Sequence, residues 1–202
     1  VRVPDRLPKA LAVEEVLALI DGVGDATPHD LRDRAIIELL YGSGLRVSEL
    51  CSLEWIRLDL DERLVRVVGK GDKERVVPIS AYAAAALRTM RDADLNERSR
   101  RSRYVFASRG GAPLTRQGVW YLLKRRGAAV GLAQVLTPHV LRHSCATHMI
   151  QGGADLRVVQ ELLGHVDLST TQIYTRITID HLVEVFRSAH PRDRVGFGER
   201  RR

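Results

Sequence analysis

Apolar residues recur at helical spacing over residues 13–20 and again over 31–40, where the repeat stops at Gly42, Ser43 and Gly44. Two helices followed by a glycine break are therefore expected. A third, short helix should begin near Arg46 with Val47, Leu50 and Leu53 on its inner side. The pattern then changes. Residues 64–68 and 75–79 are rich in β-branched side chains and flank a polar turn containing glycine, which predicts an antiparallel hairpin. An alanine run marks a helix over 81–90, and an Arg/Ser/Asp-rich loop follows over 91–103. A short strand is expected at 104–107 and a turn at 110–113, ahead of a helix over 116–130. Further helices are expected over 138–151, 156–163, 170–174 and 179–188. The expected fold class is mainly α with a small antiparallel β-sheet or hairpin, in a single domain spanning 1–202, with 1–8 as a linker and 193–202 as a basic tail.

A chain of 202 residues with 45% hydrophobic content can bury a substantial core. Its 32 Lys and Arg against 25 Asp and Glu give a net charge of +7, which favours a polyanionic partner through counterion release. The two cysteines, Cys51 and Cys145, each sit inside an apolar helical pattern and are expected as buried, reduced thiols that suit a cytoplasm. No apolar run approaches the ~20 residues that cross a bilayer, and no secretion signal is recognisable, so no membrane role is expected. The polar, proline-bearing opening from Val1 reads as the start of a fragment that another domain once preceded.

Chemistry enters at residue 137. Thr137 can cap a helix, Pro138 suits its first position, and His139, Arg142 and His143 follow within one turn. Free backbone N–H groups, the positive dipole end and a guanidinium make such a helix start an anion site, with phosphate as the natural guest. The spacing of His139 and His143 also suits zinc, but Arg142 would repel a dication and the Glu of the metalloprotease pattern is missing; no metal is expected. Gly164 can end the helix over 156–163 in the left-handed conformation and so aim His165. Ser169 and Gln172 form a capping box that would set Tyr174 on a short helix. A phenol with a pKa near ~10 costs on the order of 4 kcal/mol to ionise at neutral pH, so a tyrosine nucleophile needs cations and a base beside it. Arg46 and Arg142 suit the first need, with Glu49 placed to brace a guanidinium. Lys70, between Gly69 and Gly71, is the candidate proton donor to a leaving hydroxyl, and Lys73 on the same turn is the alternative.

The segments GSGLRVSEL (42–50), GKGDKER (69–75), HVLRHSCATH (139–148), LLGH (162–165) and STTQIYT (169–175) resemble the tyrosine site-specific recombinases of the phage integrase family, and most closely the bacterial Xer recombinases. The resemblance starts near Leu7, covers nearly the whole chain, and shows no departure from the family pattern at these positions. It implies the family's catalytic-domain fold and a set of roles. Arg46 and Arg142 would clamp the scissile phosphate, with Glu49 supporting; His139 would act as base or hydrogen-bonding partner, and His165 would contact a nonbridging oxygen. Lys70 would protonate the leaving oxygen, and Tyr174 would form the 3′-phosphotyrosyl link. Exchange of one phosphodiester for another conserves bond energy, so neither nucleotide cofactor nor metal is expected.

The implied partner is double-stranded DNA, with Lys73, Arg75, Arg116, Lys124, Arg125 and Arg126 as backbone-contact candidates. The implied setting is a bacterial cytoplasm, at the nucleoid, in chromosome or plasmid dimer resolution. A separate N-terminal domain of the family would lie outside these residues. On the helix over 179–189, the face of Ile179, Leu182, Val183 and Phe186 suits either packing on its own domain or docking onto a neighbour in a tetramer, homomeric or heteromeric. Two other readings compete: a type IB topoisomerase, and a DNA-binding module without catalysis.

Overall fold

The computed structural model describes residues 9–69, 74–93, 101–164 and 176–194. Helices α1 (Val13–Asp21), α2 (Pro28–Ser43) and α3 (Val47–Cys51) are followed by a 3₁₀ turn at Trp55–Arg57 and strands β1 (Leu58–Asp59), β2 (Leu64–Val68) and β3 (Glu74–Pro78). Then come α4 (Ala81–Ala93), α5 (Arg116–Ala128), α6 (Pro138–Gln151), α7 (Leu156–Leu163), α8 (Arg176–Ala189) and α9 (Pro191–Arg194). The three strands pair antiparallel in the order β1-β2-β3, with Leu64 opposite Pro78 and Val68 opposite Glu74. Alternation sends Val65, Val67 and Val77 inward. No helix among the described residues is long and apolar enough to cross a membrane.

The central element is α2. The Thr27 hydroxyl accepts from the Asp30 amide at 3.1 Å, and Pro28 occupies the first turn, so the helix begins three residues before the apolar repeat that announces it. Ile36, Ile37, Leu39 and Leu40 are all fully buried, as expected of a helix covered on every side, here by α4 and α6 among others. Truncating Leu40 to Ala in so dense a core costs about 2–5 kcal/mol. The helix ends at Gly44 in the left-handed conformation (φ 62°), where a Cβ would lie 2.5 Å from Leu163 Cδ2. The end of α2 is thereby pressed against the end of α7.

Several sequence expectations are altered by packing. The segment 104–107 is no strand: it makes single bridges, Glu54 to Tyr104 and Ala107 to Pro113. The sheet has an additional edge strand, β1, too short for any periodicity to show. Leu182 and Phe186 of α8 are buried in the protein's own core, with Phe186 stacked on His190 at 4.8 Å. The expected helix over 170–174 lies outside the described residues. Both cysteines are buried, and burial pushes the Cys145 thiol up to about 12.

Candidate active site

Thr137 caps α6 by accepting from the Val140 amide at 3.1 Å, and Pro138 precedes His139 in the first turn. His139 is exposed. It lines an open groove of about 540 Å³ with Val47, Arg116, Gln117, Trp120 and Tyr121. One turn deeper, Arg142 is only 6% exposed. Its Nη1 donates to the Gly44 carbonyl and its Nη2 to the Leu163 carbonyl, both at 2.5 Å.

Arg46 is the N-cap residue of α3, and Glu49 stands at the third helical position, where its Oε2 accepts from the Arg46 amide at 2.8 Å. Glu49 Oε1 also accepts from Arg46 Nη1 at 3.0 Å, and Arg46 Nη2 reaches the Gly164 carbonyl at 2.7 Å. Arg75, on β3, closes the set. It donates to both Glu49 oxygens, at 2.5 and 2.9 Å, and from Nε to the Leu162 carbonyl at 3.2 Å. The last carbonyls of a helix lack intrahelical partners and sit at the negative dipole end, so cations are stabilised there. Leu162, Leu163 and Gly164 each receive a different guanidinium.

Electrostatically the centre is short of negative charge. Three guanidiniums surround one carboxylate. Burial opposes ionisation of Glu49, but the Arg75 fork, aided by Arg46, outweighs it and holds the carboxyl below its usual range. Arg142 is brought down to about 10, first by burial and then by the Arg46 and Arg75 charges. Cations crowded this way gain most from an added anion. Among the described residues no cluster of three His, Cys, Asp or Glu is placed to hold a metal ion.

The structure thus brings Arg46, Glu49 and Arg142 together and sets His139 at the head of the same helix as Arg142. Lys70, Lys73, His165 and Tyr174 lie outside the described residues. In sequence, Lys70 and Lys73 precede β3 directly and His165 follows Gly164.

The candidate DNA-contact residues divide. Arg116 is exposed beside the groove. Arg75 is 7% exposed and turned inward, which its register on β3 explains: it shares the inward face with Val77. Arg126 bonds Asp30 and Asp33, Arg125 bonds Asp33, and Lys124 donates to the Ala133 and Gln134 carbonyls at 2.6 and 3.2 Å. These three side chains are held by their own chain.

Two residues escaped the sequence reading. The buried, hydrogen-bonding histidine of α6 is His148: its Nδ1 accepts from the Tyr41 hydroxyl at 2.9 Å and its Nε2 donates to the Leu11 carbonyl at 2.8 Å. Burial raises the Tyr41 phenol, which removes it as a nucleophile. The position of Tyr41 directly after the apolar repeat of α2 was the available signal.

Comparison with known proteins identifies the family. Residues 9–181 match the model of the phage integrase family. The chain is 45% identical over 194 residues to tyrosine recombinase XerC of Xanthomonas axonopodis pv. citri (strain 306), covering 96% of this chain and 62% of that one. It is 47% identical over 190 residues to tyrosine recombinase XerD of Corynebacterium glutamicum, covering 92% and 62%. The chain therefore spans about three-fifths of these relatives' length. Among solved structures, a XerH site-specific recombinase bound to palindromic difH substrate in a post-cleavage complex aligns with a TM-score of 0.67 and 27% identity, over 89% of this chain and 53% of that one. With the family model matched over residues 9–181, the chain belongs to the phage integrase family.

Proposed function

We propose that the protein is the catalytic domain of a site-specific DNA recombinase that cleaves and rejoins double-stranded DNA through Tyr174. The observation that carries the reading is the surplus of two positive charges around Glu49, which matches the dianion formed when a phenolate attacks a phosphodiester. In this reaction the Tyr174 oxygen bonds to phosphorus while Arg46 and Arg142 hold the nonbridging oxygens, assisted by His165. The bond from phosphorus to the 5′ oxygen breaks, Lys70 gives that oxygen a proton, and His139 serves as base or hydrogen-bonding partner. The 3′-phosphotyrosyl link keeps the bond energy, so a second 5′-hydroxyl can attack it and complete the exchange. No cofactor is required by this balance.

The Xer relatives and the DNA-bound XerH complex support DNA as substrate, and a bacterial, nucleoid-associated site of action follows from it. Similarity to both XerC and XerD fits a role in chromosome or plasmid dimer resolution. Assembly on DNA would be tetrameric, and the half-buried Ile179 and Val183 are the part of the α8 apolar face left to meet a neighbour.

The test is covalent trapping on a nicked duplex that loses its 5′ end on cleavage, followed by peptide mapping. The adduct should sit on Tyr174 and vanish in Tyr174→Phe. An adduct on Tyr121, which shares the groove with His139, or no adduct at all, overturns the reading.

A further inference from the structure

We propose that Arg75 is a positioning residue for this reaction: one buried guanidinium sets the carboxylate that orients Arg46 and anchors the helix end that leads to His165. The inference rests on the recombinase reading above.

Its side chain is 8% exposed, so the charge is withheld from solvent and not offered to a DNA backbone. Both terminal nitrogens engage both oxygens of Glu49, a fork that an ammonium cannot reproduce. The same two oxygens accept from Arg46, one from its amide and one from its guanidinium. The rotation of one carboxylate is thus fixed on one side by Arg75 and read out on the other by Arg46. The third donor, Nε, holds the Leu162 carbonyl. Gly164 makes that approach feasible, because a Cβ there would fall 3.2–3.3 Å from Nε, Cδ and Cζ of Arg75. Strand β3, α3 and α7 therefore share a single guanidinium, and each leads within a few residues to a candidate catalytic group: Lys70, Arg46 and His165.

Without Arg75, Glu49 keeps its burial and faces only Arg46 on α3 and the more distant Arg142 on α6, so its carboxyl takes up a proton at higher pH. That gives a signature which simple loss of packing would not. Single-turnover trapping is measured from about pH 5 to about pH 9 at saturating DNA, normalised to the folded fraction. The proteins compared are the parent, Arg75→Met, Arg75→Lys, and Arg75→Met combined with Glu49→Gln. Arg75→Met should trap on the order of a hundredfold more slowly with DNA affinity little changed. Its rate should acquire an acid limb additional to any in the parent, and that additional limb should disappear in the combined variant. Arg75→Lys should remain slow. A parent-like rate per folded molecule, a loss confined to stability, or full rescue by Lys overturns the proposal. Should Arg75→Met fail to fold, Arg75→Lys decides alone: slow supports the role and parent-like removes it. If the parent itself forms no adduct, the recombinase reading fails and this role falls with it, whereas parental trapping beside an unaffected Arg75 variant refutes Arg75 alone.

Discussion

Asp33 in α2 and Glu49 in α3 are both buried carboxylates ringed by guanidinium groups, yet the charge balance around them differs. Asp33 accepts from Arg32, Arg125 and Arg126, and Arg126 has a second carboxylate in Asp30 at 2.6 Å. The excess charge sits on Arg125, whose side chain is 64% exposed and screened by water. Burial works against Arg126 there, but its bonds to Asp30 and Asp33 prevail and raise its pKa. At Glu49 two guanidiniums share the single carboxylate while a third, on Arg142, has only carbonyl partners, and the shift on Arg142 has the opposite sign. A carboxylate that satisfies its arginines fastens helices together, here α2 to α5. One that leaves them in surplus creates a place for an incoming anion.

The largest effect that would sharpen this contrast is on chemistry. Arg142→Ala should slow covalent trapping by at least about 10²–10³-fold with a much smaller loss of DNA affinity, since it removes stabilisation that grows as the phosphorane forms. Equal losses in rate and affinity would break the distinction. Next in size is stability: Asp33→Ala strands partly buried Arg126 beside Asp30 alone and should cost about 3–5 kcal/mol in urea unfolding, while the trapping rate per folded molecule stays unchanged.

Acid sensitivity should follow Glu49. Its folded pKa lies below the unfolded value near ~4.3, so its contribution is present above that value and is lost as pH falls through the folded one. Glu49→Gln should therefore show a shallower decline of urea stability between about pH 5 and about pH 3 than the parent; parallel curves would contradict the assignment. The smallest effect is on sulfate binding. Sulfate at several times its dissociation constant should stabilise the parent by about 1 kcal/mol, and this gain should disappear in Arg142→Ala but survive in Asp33→Ala. Survival in both would place the anion elsewhere.

The helices that carry the site were legible because their ends are chemically marked. Thr137 with Pro138 fixes the start of α6, and Gly164 fixes the end of α7 in the left-handed conformation, φ 65°. The segment 104–107 misleads because apolar composition alone resembles a strand, whereas pairing requires a neighbour and only isolated bridges form. The intrachain bonding of Arg75 and Arg126 was not read from the sequence, for a different reason. Charge suggested phosphate contacts, but Arg75 lies two residues from inward Val77, and Arg126 lies three and four residues from buried Leu123 and Leu122. Periodicity already aimed both inward. What periodicity cannot supply is the partner: Glu49 is 26 residues from Arg75, and Asp33 is 93 from Arg126. The own-domain packing of Leu182 and Phe186 was likewise one of two outcomes open to an apolar helix face, decided by the surfaces of β3, α6 and α7.

The most direct measurement is a crystal structure of the covalent DNA adduct, which locates the phosphate relative to the arginines. The account predicts a phosphotyrosine on Tyr174 whose nonbridging oxygens lie about 2.7–2.9 Å from guanidinium nitrogens of both Arg46 and Arg142. A phosphate bound outside that pair, with Arg46 still engaged by Glu49 and the Gly164 carbonyl and Arg142 still engaged by the Gly44 and Leu163 carbonyls, would contradict it.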